Sequence, residues 1–168
     1  MRTRRLTYDA LLTAVALTIF VIEAQIPVPV PVPGIKLGLS NIVTLFAMFT
    51  VGPYDALGIL FCRVILGSMV TGRMSAVFFS LAGGLLCYLL TLVLRKIMSR
   101  SQIWLCSIFG AIAHNIGQMA AAVAVTQTPS LFVYLPALMI SGIIAGAFTG
   151  ICAQILINRY AANIWWPK

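Results

Sequence analysis

Six apolar runs, 6–26, 37–51, 54–70, 75–94, 103–125 and 131–157, follow one another with hardly a polar interval between them. A helix that spans a bilayer needs about 20 apolar residues, and segments of this kind leave a soluble domain no polar face to turn to water. Only 8% of the residues are charged and 61% are hydrophobic, whereas soluble domains carry about 25% charged residues and disordered chains combine high charge with low hydrophobicity. The sequence therefore predicts an all-α integral membrane protein, a single domain over 1–168 with six transmembrane helices.

The first run follows Arg2, Arg4 and Arg5, as the apolar core of a signal peptide would. No small-residue cleavage pattern comes after it and five more apolar runs do, so it is expected to stay as a helix. The stretch 27–34 reads PVPVPVPG. With proline at alternate positions it lacks half its backbone donors and cannot be helical; a polyproline-like rise makes it a stiff strap about 20 Å long.

Net charge is +8, with Asp9, Glu23 and Asp55 as the only acids. In a soluble protein that excess would suggest nucleic acid, but here the basic residues lie between spans, where they set orientation and imply no nucleic-acid partner. Placing the N-terminus inside puts eight Lys and Arg on the cytoplasmic side, in the N-terminus, the 95–102 interval and the C-terminus, against Lys36 and Arg73 outside. That bias predicts N-in and C-in, with Trp165 and Trp166 at the inner interface.

With orientation set, a rise of 1.5 Å per residue converts position into depth. Glu23 lies about 26 Å above the inner surface, His114 and Asn115 about 17 Å, and Gln118 about 22 Å. Lys36 sits at the outer mouth of the second span with Asn41 in its first turns, and Arg63 falls near mid-membrane. Ionisable side chains inside spans are costly and ordinarily face a bundle interior or a water-filled cavity. His114 and Gln118 share a helix face. Taken singly, each of these residues reads equally well as interhelical glue: Arg63 as a partner of Glu23 or a carbonyl, Lys36 as a snorkelling anchor. Together, Glu23, Lys36, Asn41, Arg63, His114, Asn115 and Gln118 point to a substrate pocket in the outer half, capped by the 27–36 loop.

Small residues make a second pattern. Gly142, Gly146 and Gly150 recur at every fourth position of the sixth run, as do Ala10 and Ala14, extended by Thr18, in the first. Such rows let helix backbones approach closely. The glycines read as internal packing; the alanines leave open internal packing or a docking face for another membrane subunit. Cys62, Cys87, Cys106 and Cys152 fall inside apolar runs without close pairing, so neither a metal site nor a disulfide framework is indicated. The sequence contains no phosphate-binding loop to energise transport, no paired carboxylates for metal-bound diphosphate and no nucleophile constellation. No enzyme activity and no cofactor are expected of this chain alone.

Three segments carry a resemblance: Ile22-Glu23 through Pro33-Gly34-Ile35-Lys36-Leu37-Gly38-Leu39-Ser40-Asn41, the RVILGS of Arg63 to Ser68, and the HNIGQ of His114 to Gln118. Together they resemble the Gx transporter family, whose members are often labelled heptaprenyl diphosphate synthase component I. Ser40 stands where alanine is commoner, a departure expected to be harmless. The wider group resembles the substrate-binding S components of energy-coupling-factor transporters. That resemblance implies six helices in a prokaryotic cytoplasmic membrane, an outward pocket under the first outer loop, and an alanine motif on helix one, matched by Ala10 and Ala14, that meets a transmembrane coupling subunit served by two ATPases. The synthase label implies a different role: a non-catalytic membrane component associated with a polyprenyl diphosphate synthase. A structural subunit of a membrane redox assembly is a third expectation. Substrate identity is not legible; Lys36, Arg63 and His114 against Glu23 permit a neutral or anionic solute.

Overall fold

The computed structural model describes residues 2–26, 36–74 and 76–160, and among them the apolar runs become helices with no strand. The helices are α1 (Arg2–Glu23), α2 (Asn41–Thr50), α3 (Pro53–Val70), α4 (Ala76–Ile97), α5 (Ile103–Thr126) and α6 (Leu135–Tyr160). Short 3-10 turns, Arg100–Gln102 and Pro129–Tyr134, lead into α5 and α6. The strap expected at 27–34 and the expected interfacial Trp165 and Trp166 lie outside the described residues.

α1 and α3 through α6 are long and apolar enough to cross a bilayer. The second expected span is not continuous: helix forms over Asn41–Thr50 alone, 10 residues, or about 15 Å against a hydrocarbon core of about 30 Å. Leu37 and Leu39 are apolar, but Gly38 between them has φ +82°, a left-handed conformation that stops a helix from extending upstream. α2 persists at this length because lipid does not surround it. It packs against all the other helices, and seven of its 10 residues are buried. Non-helical backbone at membrane depth is tolerated where protein encloses it, and this is the condition of residues 36–40. α1 likewise ends at Glu23, ahead of the expected limit at residue 26, and 24–26 form a turn.

Two polar contacts fix the direction of the helices. At one end Arg5 Nε donates to Asp55 Oδ1 at 3.1 Å, and Arg5 Nη2 to Asp55 Oδ2 at 2.5 Å, joining the starts of α1 and α3. At the other, Arg73 Nη1 donates to the Ala24 carbonyl at 3.2 Å. α1 and α3 therefore run parallel, and α2 brings the chain back between them.

α4, α5 and α6 form the second half of the bundle through close backbone approach. A Cβ on Gly117 would lie 2.8 Å from the Ala82 carbonyl of α4; one on Gly150 would lie 2.9 Å from the Trp104 Cα of α5. The glycine row of α6 is thus internal packing, with Gly146 against Ile108 and Ser107 of α5. The usual pattern of a soluble core is inverted at the surface. Leu11, Phe78, Ile144 and Phe148 are exposed, while Glu23, Lys36, Arg63, Asn115 and Gln118 are buried. Helices that shed apolar side chains outward and hold their ionisable groups inside suit a lipid solvent.

Candidate functional site

The site begins with the backbone of residues 36–40, which enters the bundle from the Arg73 end and is held by three helices. From α1, the Glu23 carboxylate accepts hydrogen bonds from the Gly38 and Ser40 backbone N–H groups. From α5, Gln118 Oε1 accepts from the Lys36 backbone N–H at 3.0 Å. From α3, Arg63 donates through Nη1 to Ser40 Oγ and through Nη2 to Asn41 Oδ1, at the entrance to α2. Three backbone N–H groups of a segment without secondary structure thereby find side-chain acceptors away from water.

Gln118 uses its other amide end on its own helix, with Nε2 2.7 Å from His114 Nε2. The amide nitrogen can only donate, so His114 Nε2 is the acceptor and the imidazole is neutral with its proton on Nδ1. The Nδ1 edge faces Gly83 of α4, where a Cβ would come within 2.9 Å of it. On the opposite side, a Cβ on Gly38 would meet His114 Cδ2 at 2.8 Å. Glycines at 38 and 83 therefore make the slot that the imidazole occupies.

Lys36 does not snorkel outward. It is 3% exposed, and its Nζ lies 3.1 Å from the centroid of the Phe20 ring, which rests on Gly67 of α3. Cations over an aromatic face are attracted by its quadrupole. The ammonium has no hydrogen-bond acceptor.

Glu23, Lys36, Gly38, Ser40, Arg63, Ser80, His114 and Gln118 line one small cavity with Phe20 and Val64. In this conformation it measures about 10 Å³, room for about one water molecule. A second cavity of about 20 Å³ lies on the other side of residues 37–41, among Leu45, Thr91, Ser107, Gly110 and Thr149. Asn41 faces this second space while bonding Arg63. Asn115 belongs to neither: its Nδ2 donates to the Leu138 carbonyl of α6 at 2.6 Å, which makes it a tie between α5 and α6.

Phe20 and Ser80 line the cavity without having been named from the sequence, and Ser40 was named only as a departure within a motif. Ser40, expected to be a harmless departure, accepts from Arg63 while its N–H bonds Glu23, so it links the two buried charges. Among the described residues no cluster of His, Cys, Asp and Glu is arranged to hold a metal ion. Ala10 and Ala14 are exposed on α1, toward the end where Arg5 meets Asp55 and away from the cavity.

These features define a helical membrane protein whose ionisable side chains converge inside the bundle. Residues 12–156 match the family model described as heptaprenyl diphosphate synthase component I, and the chain belongs to that family. No curated protein and no solved structure matches it.

Proposed function

We propose that this chain is the substrate-binding membrane subunit of an energy-coupling-factor-like importer, with six spans, both termini cytoplasmic, and a small solute held in an outward pocket beneath the 27–36 loop. The observation that carries this reading is the meeting of Glu23, Lys36, Arg63, His114 and Gln118, from three long helices and the loop, around one internal cavity. Buried ionisable residues inside spans mark solute pathways, and the absence of a phosphate-binding loop in the sequence makes a separate energy source necessary. A transmembrane coupling subunit and two ATPases supply it. The exposed Ala10 and Ala14, remote from the cavity, provide a surface on which a partner backbone can approach closely. The resting conformation is closed, and the 36–40 segment moves when solute enters.

The family description favours a second reading, in which the chain is the membrane partner of a soluble prenyl diphosphate synthase and performs no chemistry itself. One pair of substitutions separates the two. Ala10→Leu with Ala14→Leu is expected to abolish co-purification with a coupling subunit and ATP-dependent uptake, yet leave small-molecule retention by the isolated chain near normal. A wild-type chain that never associates with a coupling subunit but binds a prenyl synthase in detergent overturns the importer reading and establishes the second.

A further inference from the structure

The chain has only three side-chain carboxylates, and all three lie among the described residues. Asp55 is committed to Arg5 at one end of the bundle, and Asp9 stands on α1 near that same end. Glu23 alone is left to face two buried cations, Lys36 at 3% and Arg63 at 2% exposure. It forms an ion pair with neither, because its oxygens accept from the backbone N–H groups of Gly38 and Ser40. The single ion pair among the described residues is Arg5 with Asp55.

The donors are also under-used. Lys36 Nζ and Arg63 Nε are both buried without a hydrogen-bond acceptor, and both residues line the same cavity. A buried, unpaired charge is among the costliest features a fold can carry. No acidic side chain remains anywhere in the sequence to neutralise it, so the compensating group comes from outside the chain. The cavity walls also specify its chemistry. They present nitrogen donors on Lys36 and Arg63 and the hydroxyl of Ser80, whose oxygen lacks a partner. The acceptors in the wall, Glu23 and the Gln118 carbonyl, are already engaged. Such a surface is suited to accepting oxygens that carry charge.

We propose that the cavity bounded by Lys36, Arg63 and Ser80, widened by movement of the 36–40 segment, binds a singly charged oxyanion group, a carboxylate or a phosphodiester, which neutralises the excess positive charge left by Glu23. This deepens the reading of the cavity as a ligand site and rests on it. The group belongs either to a solute or to a lipid headgroup that reaches the cavity from the Arg73 end.

The test uses purified full-length protein in a neutral detergent, with thermal unfolding measured in chloride, acetate or dimethyl phosphate at equal ionic strength, and in soluble dihexanoyl phosphatidylglycerol or phosphatidylcholine. Lys36→Met, which removes the charge and keeps the stem, is compared with wild type in each. The expected result is a saturable rise in wild type of about 3–6 °C at tenfold the dissociation constant, absent from Lys36→Met and retained by Lys36→Arg. A response to acetate or dimethyl phosphate assigns the group to a free solute; a response to phosphatidylglycerol alone assigns it to a lipid. Equal responses in wild type and Lys36→Met, or a Lys36-dependent response to chloride as large as that to acetate, overturn the proposal. Mass spectrometry separates it from the broader reading. A neutral or cationic molecule retained by wild type and lost from His114→Ala overturns the oxyanion but keeps a ligand site. No retained molecule together with no Lys36-dependent response overturns both.

Discussion

Gly38 is the position where a single methyl group tests how residues 36–40 are threaded through the bundle. Its φ of +82° places it in the left-handed region, where a Cβ costs about 1–2 kcal/mol. The same Cβ would lie 2.8 Å from both Asn41 Nδ2 and His114 Cδ2. Neither neighbour can retreat freely: Asn41 Oδ1 holds Arg63, and His114 is tied to Gln118. Overpacking of this kind costs a further 1–3 kcal/mol or so, which makes Gly38→Ala destabilising by about 2–5 kcal/mol. For a chain of this size that is a fall in Tm of roughly 5–20 °C. Gly58, exposed on α3 with nothing within 4 Å of its would-be Cβ, is the control. There Ala relieves helical backbone freedom and should stabilise by up to about 1 kcal/mol. Both variants are measured by tryptophan fluorescence during thermal unfolding in detergent. The reasoning also requires non-additivity: Gly38→Ala combined with His114→Ala should cost less than the two separately, because the second change makes room for the methyl group. A Gly38→Ala protein that melts within about 2 °C of wild type would mean that 36–40 does not pass between Asn41 and His114, and the cavity would have to be redrawn.

Removing a buried hydrogen-bond partner costs about 1–3 kcal/mol, so His114→Ala or Gln118→Ala should weaken solute retention roughly 5- to 150-fold; unchanged retention by monodisperse variants would make both residues packing glue. Orientation is tested with single cysteines in a background lacking the four native ones: Pro129→Cys should react with an impermeant thiol reagent in intact cells and Ser99→Cys should not. The reverse pattern would invert the bundle and the side from which the cavity opens.

The helices were legible because an apolar run of about 20 residues has few other ways to satisfy its backbone in a bilayer. Their limits were legible where glycine and proline intervene, as at Gly52-Pro53, whereas α4 runs through Arg95 and Lys96 to Ile97, past the expected end at 94. Residues 37–40 escaped that logic. They are as apolar as the helix after them, and what makes them non-helical is a left-handed Gly38 held, with Ser40, by long-range bonds to Glu23 that composition does not contain. Depth arithmetic put Glu23, Lys36, His114 and Gln118 at comparable heights, and the fold gathers them with Arg63 at one cavity. It erred in treating sequence adjacency as co-location at Asn115. One residue along a helix is a turn of about 100°, enough to swing Asn115 from the cavity to the Leu138 carbonyl. Ser80 carried no visible signal, and Ser40 only that of a departure expected to be harmless, because a serine becomes a site residue only through what packs against it.

The brevity of α2 also bears on how the chain enters the membrane as it is synthesised. Ten residues preceded by non-helical backbone cannot rest in lipid alone, since they neither cover the hydrocarbon thickness nor satisfy their own polar groups. The surroundings that make α2 tolerable come mostly from α3 to α6, which leave the ribosome after it. α2 must therefore wait at the interface, or travel as a hairpin with α3 across the Gly52-Pro53 turn, until later helices enclose it. In the hairpin route Arg63 of α3 already faces Ser40 and Asn41, whose side chains it bonds in the folded protein.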